Sequence, residues 1–162
     1  MVVKSTPEVQ PSLDLGYLAL FLGMRVNQLV MERMRAAGFR NVRESHGYVI
    51  QHLIEKERTI TELAGRMEVT QQAASKAVAE LASLRVVELA PSADRRAKTV
   101  KLSAYGWTLI QRTRRIRRQI DARLIRAAGA PKYETAKSIL TVCLNALGGT
   151  ERIRTRRILP AQ

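Results

Sequence analysis

The chain has 162 residues, 46% of them hydrophobic and 26% charged, a composition that builds a folded core and argues against a disordered chain. Twenty-eight lysines and arginines against fourteen acidic residues give a formal charge of +14 and a sequence pI near 11.0, which favours a polyanionic partner, nucleic acid before an anionic membrane. The most apolar stretch, Gly16 to Met24, falls well short of the ~20 residues of a membrane span; no secretory signal is visible and the single cysteine forms no internal disulfide, so a cytoplasmic protein is expected.

Residues 1–11 contain two prolines and little pattern, and read as a flexible N-terminal arm. From Ser12 a long helix is expected, with Leu15, Leu18, Leu22, Val26 and Leu29 on one face, Tyr17, Phe21 and Met24 widening it, and Gly38 as its stop. So broad an apolar surface suits burial against a second subunit as well as an internal core, and residues 12–42 are assigned as an N-terminal dimerisation helix. Ser45 to Lys56 reads as a second helix with Val49, Ile50, Leu53 and Ile54 inward. Thr59 and Glu62 form a T-x-x-E capping box that opens a short helix with Ile60, Leu63, Ala64 and Met67 on one side.

After a tight link at Glu68 and Val69 comes Thr70 to Leu84, with Thr70 at the N-cap and Ala74, Ala77, Val78, Leu81 and Leu84 as a buried stripe. Its other side carries Gln71, Gln72, Ser75 and Lys76. Glutamine can pair bidentately with adenine, lysine reaches guanine, serine suits several bases, and the small Ala73 admits a close approach. Two short helices joined by so brief a turn are a helix-turn-helix pattern. Val87 to Leu89 and Val100 to Leu102 then alternate around the breaker APSADRR, predicting a β-hairpin whose charged tip holds Arg95, Arg96 and Lys98 within reach of phosphates or a minor groove. Residues 43–102 are therefore expected to be a winged helix-turn-helix domain.

Ser103 caps a helix of about six turns with the stripe Trp107, Ile110, Thr113, Ile116, Ile120 and Leu124. Pro131 opens a last helix, with Tyr133, Ala136, Ile139, Leu140, Cys143, Leu144 and Leu147 on one side and Gly148 as stop. Residues 103–148 are assigned to helical dimerisation and 149–162 to a basic tail. The fold expected is mainly α with a small β-hairpin wing.

Chemistry beyond binding is sparse. There is no nucleophile with a base, no phosphate-cradling glycine loop and no carboxylate pair, so no enzyme and no cofactor is expected. His46 and His52 lie off one helical face without ligand partners at metal spacing, so no metal is expected either, and Cys143 within an apolar stripe reads as structural. Residues 103–162 hold thirteen basic and three acidic groups, with Arg112, Arg114, Arg115, Arg117, Arg118, Arg123 and Arg126 on one helix. Three readings stand for that cluster: a solvated outer face, phosphate contacts flanking a DNA site, or an anionic ligand.

The order helix, winged helix, long helix, helix resembles the MarR family of bacterial transcription regulators. TITELAGRM is similar to that family's T-x-x-E-L-A helix, and TQQAASKAVAEL to its recognition helix S-x-x-x-V/A-S-R/K-x-V/I-x-x-L. DRRAKTVKLSAYG matches the wing pattern D-x-R followed by L-S/T-x-x-G through Asp94, Arg96, Leu102, Ser103 and Gly106. The resemblance implies an obligate homodimer with interleaved terminal helices, two wings astride a near-palindromic operator in double-stranded DNA, and most simply a repressor. It places Gln71, Gln72, Ser75 and Lys76, with Thr70 and Ala73 beside them, against bases or nearby phosphates. The resemblance also implies that Arg96 enters the minor groove, held by Asp94. It further implies release by a small anionic or aromatic effector in a pocket between the dimer helices and the winged helix, with Tyr17, Phe21, His46, Tyr48 and Arg115 as candidate lining.

Glu68 and Arg85 stand where many relatives have glycine, at turns that favour a positive φ. Two other functions fit the same residues: a winged helix turned to protein interaction, and a largely nonspecific DNA coater driven by the C-terminal arginines.

Overall fold

The computed structural model describes residues 13–91 and 98–149. The elements run α1 (Leu15–Ala36), α2 (His46–Leu53), β1 (Arg58–Thr59), α3 (Ile60–Met67), α4 (Gln71–Ser83), β2 (Val87–Pro91), β3 (Lys98–Leu102), α5 (Ala104–Ala128) and α6 (Ala130–Ala146). The expected order of helices around one hairpin is therefore the observed one. The N-terminal arm, the tail beyond residue 149 and the wing tip with Asp94, Arg95 and Arg96 lie outside the described residues.

Caps set most of the boundaries. Asp14 accepts a hydrogen bond from the Tyr17 amide, so α1 starts at Leu15 rather than at Ser12. The expected capping box is formed: Glu62 N–H donates to Thr59 Oγ1 at 3.1 Å, and Thr59 N–H donates to Glu62 Oε2 at 2.7 Å. That backbone donor is the main reason the Glu62 carboxyl sits below the usual carboxylate range. With its folded pKa lowered, the cap contributes above the ordinary glutamate range and is lost as pH falls through the lowered value. Glu62→Gln is expected to cost less than about 1 kcal/mol at neutral pH, in urea unfolding, with the gap to wild type closing as pH falls below the usual carboxylate range.

α2 is shorter than the sequence suggests, ending at Leu53 rather than Lys56. The chain leaves the helix there to deliver a third strand, which the sequence reading lacked. β1 pairs antiparallel with β3, Arg58 opposite Val100, giving the sheet order β1-β3-β2. Two residues are too few to show a period, and the apparent polarity of Arg58 hides its burial. Its side chain is 3% exposed, with Nε donating to the His52 carbonyl at 2.7 Å and a guanidinium nitrogen 3.7 Å from Glu55.

Glu68 and Arg85 are the two non-glycine residues with positive φ among the described ones, at 56° and 59°. Both follow a helix. After α4, Val86 N–H donates to the Leu81 carbonyl and Arg85 N–H to that of Ala82, the paired bonds of a left-handed helix stop. The turns anticipated from the missing glycines thus form without them. Arg85→Gly is expected to raise stability by about 0.5 kcal/mol in thermal unfolding, because relief of the left-handed conformation outweighs the flexibility added to the unfolded chain.

The core joins both halves of the chain. Val49, Leu63, Val78, Leu81, Val86 and Val100 of the winged helix pack with Val30 and Met34 of α1 and with Leu109, Ile110, Ile116 and Ile120 of α5. On α5 the expected stripe shifts at its start: Trp107 is 39% exposed, and Gly106 and Leu109 face inward instead. The cause is the close approach of Gly106 to Val86, which sets the rotation of the helix.

Two apolar surfaces remain open. Leu15, Leu18, Phe21, Leu22 and Met24 on the first half of α1 are exposed, and α6 has no buried residue, with Ile139 and Val142 at 50% and 65% exposure and its C-cap Leu147 at 86%. No helix among the described residues is long and apolar enough to cross a membrane.

Candidate nucleic-acid interface

α3 and α4 form the helix-turn-helix, with Thr70 in extended backbone conformation accepting from the Ala73 amide at 3.1 Å. Burial of Ala74, Val78 and Leu81 fixes the rotation of α4. The opposite side then presents Gln72, Lys76, Ala79 and Ser83 as one row at helical spacing, with Ala73 and Ser75 flanking it, all exposed. Gln71 is diverted: its amide nitrogen donates to Thr61 Oγ1 at 3.0 Å, tying the first turn of α4 back to α3. Ala79, passed over in the sequence reading, belongs to the row by the i, i+4, i+7, i+11 count from Gln72. Lys98 is exposed at the start of β3, where the hairpin leaves the sheet.

The later turns of α4 are held by a polar cluster. Arg43 and His46 both contact the Glu80 carboxylate, His46 Nε2 at 3.3 Å. The His46 bond first, and the Arg43 bond second, keep that carboxyl below its usual range.

Beside the cluster, α1, α2 and α5 enclose a cavity of about 310 Å³ with Val30, Met34, Ile50, Leu109 and Ile110 as its apolar wall and Asn27, Arg43, Glu44, Arg114 and Arg117 at its polar edge. None of Tyr17, Phe21, His46, Tyr48 and Arg115 lines it. Tyr17 and Phe21 are exposed and stack on each other with ring centroids 6.3 Å apart, Tyr48 is half-buried elsewhere, and His46 faces Glu80 in the neighbouring groove. Arg115 lies between the two arginines that do reach the cavity, but each step along a helix turns by about 100°, so Ile110, Thr113, Arg114 and Arg117 share a side and Arg115 faces away. All seven arginines of the cluster are exposed, and two of them, Arg114 and Arg117, also border the cavity. No group of histidine, cysteine and carboxylate side chains among the described residues is arranged to hold a metal ion.

The MarR family model matches residues 42–97. No curated protein matches the chain. Among solved structures, YusO from Bacillus subtilis is similar with a TM-score of 0.67 at 22% identity, over 82% of this chain and 92% of that one. A MepR variant from Staphylococcus aureus bound to an oligodeoxyribonucleotide has a TM-score of 0.62 at 18% identity, over 83% and 99%. Reduced MarR from E. coli has a TM-score of 0.66 at 21% identity, over 82% and 97%. The family match falls on the helix-turn-helix and its hairpin, and the winged-helix fold is shared with these solved structures over four-fifths of the chain.

Proposed function

We propose that this protein is a sequence-specific, DNA-binding transcription regulator that acts as a homodimer, with α4 reading the major groove and the wing reaching the adjacent backbone. The observation that carries the reading is the row Gln72, Lys76, Ala79 and Ser83. A capped helix of thirteen residues presents hydrogen-bonding and small side chains outward while its other face is locked in the core. Thr70, Gln71, Ala73 and Ser75 accompany that row on α4, and Lys98 of β3, with Asp94, Arg95 and Arg96 outside the described residues, is assigned to the wing's contacts with DNA. The net charge of +14 supplies the attraction for phosphates.

The homodimer accounts for the two open apolar surfaces, which a second copy of α1 and α6 would bury. Repression by occupancy of an operator is the simplest mode of action, and a cytoplasmic location follows from it. The cavity, apolar in its body and edged by Arg114 and Arg117, suits a small anionic aromatic effector that binds the DNA-free geometry more tightly and so releases the operator.

The test is selection of bound duplexes from a random pool at near-physiological salt, with sedimentation to give the subunit number. A near-palindrome with half-sites about 10 bp apart is the expected winner. Steep salt dependence without enrichment would replace this reading with nonspecific coating, and no binding would shift the function to protein interaction.

A further inference from the structure

A polar chain at the cavity edge connects elements that the DNA reading treats separately. Asn27, half-buried on α1, donates from Nδ2 to Glu44 Oε1 at 2.6 Å and accepts on Oδ1 from Arg117 of α5 at 3.0 Å. These partners fix the amide's orientation, because the reversed amide would set its NH2 against a guanidinium and its oxygen against a carboxylate. Glu44 is one peptide from Arg43, whose guanidinium holds Glu80 of α4. The Arg43 backbone N–H in turn donates to His46 Nδ1 at 3.1 Å. A ring nitrogen that accepts a hydrogen bond carries no proton, so the neutral ring is protonated at Nε2, which donates to Glu80. The carboxylate that positions the later turns of α4 is thus gripped twice by the segment Arg43 to His46, which Glu44 ties to Asn27 of α1 and, through that amide, to Arg117 of α5.

We infer that Asn27 is a positioning residue for the reading helix: it joins Arg117 to Glu44 and, through residue 43, to Glu80, so the α1–α5 pair sets the orientation of α4. Of the two readouts below, only duplex affinity rests on α4 contacting DNA.

The full-length protein is compared with Asn27→Asp, which keeps the side chain's shape but turns a carboxylate on Glu44. Backbone hydrogen exchange over residues 80–85 is expected to rise about fivefold, and affinity for the selected duplex to fall about fivefold. Adding Glu44→Gln gives the new carboxylate a donor and is expected to restore both. Adding Glu32→Gln removes the same charge from an exposed pair with Arg25, outside the chain of contacts, and is expected to restore neither. Equal rescue by Glu32→Gln would reduce the effect to general charge, and exchange changes confined to residues 24–44 would show that Asn27 does not reach α4; either result overturns the inference. Should the wild-type protein select no duplex, hydrogen exchange alone decides it, and the DNA reading falls separately.

Discussion

Gly106→Ala lowers the unfolding free energy by about 3 kcal/mol, measured by urea or thermal unfolding, and so lowers Tm by roughly 6–12 °C for a chain of this size. A β-carbon at Gly106 would sit on the Val86 carbonyl oxygen and press the Leu102 side chain at 3.3 Å. Neither neighbour has room to yield. Val86 is fully buried, and its carbonyl accepts from the Ser103 amide at 3.1 Å. Ser103 meanwhile caps α5, accepting from Gly106 N–H at 2.9 Å and donating its hydroxyl to the same Val86–Arg85 stretch. The first turn of α5 is thereby fastened to the segment between α4 and β2, with Gly106 at the point of contact. Ser103→Ala, which removes the cap without adding bulk, is expected to cost less. A Gly106→Ala variant as stable as wild type would mean that α5 can move off the hairpin, and with it the connection between the winged helix and the C-terminal helices.

That junction shows how far this fold is legible in its sequence. The L-S-x-x-G string at Leu102, Ser103 and Gly106 announces a capped helix behind a strand, and both are present. Local signals of this kind are reliable because a cap, a capping box or a two-residue alternation is decided within a few residues. The positive φ at Glu68 and Arg85 was legible for the same reason, from where glycine is missing. Trp107 was misplaced because the rotation of α5 is set not by its own periodicity but by the approach of Gly106 to Val86, a contact between residues twenty apart. β1 was missed because two residues carry no period and take their conformation from β3.

The binding surfaces follow the same division. The first half of the row on α4, Gln72 and Lys76, could be read off, since one buried stripe determines what lies opposite, while Ala79 and Ser83 further along it were not singled out. The cavity could not, because its arginines are chosen by α1 and α2 packing across α5: Arg114 and Arg117 are selected over Arg115 by rotation alone. Asn27, with no distinguishing local pattern, gains its meaning only from Glu44 and Arg117, seventeen and ninety residues away. Gln71 shows the converse, a reading-type side chain turned to holding α3 and α4 together.

Gln72→Ala and Lys76→Ala are expected to relax sequence preference, each by about 1–3 kcal/mol at one or two positions per half-site, or roughly 5- to 150-fold against the best duplex. The measurement is affinity for the selected duplex and for its single base-pair variants, with salt dependence for each protein. If the side chains reach base edges, the loss falls on the selected duplex while binding to unrelated DNA is retained. A lysine that only meets phosphate behaves differently: Lys76→Ala would then weaken all sequences alike and lower the salt slope by about one. Ser83→Ala, at the far end of the same row, is about 10 Å further along the helix at 1.5 Å per residue and is expected to change neither quantity. Arg118→Ala, on the exposed side of α5, tests the charge alone and is expected to leave preference intact. Uniform weakening by Gln72→Ala, which carries no charge to lose, would remove α4 from direct reading and leave DNA shape and the wing as the source of any preference.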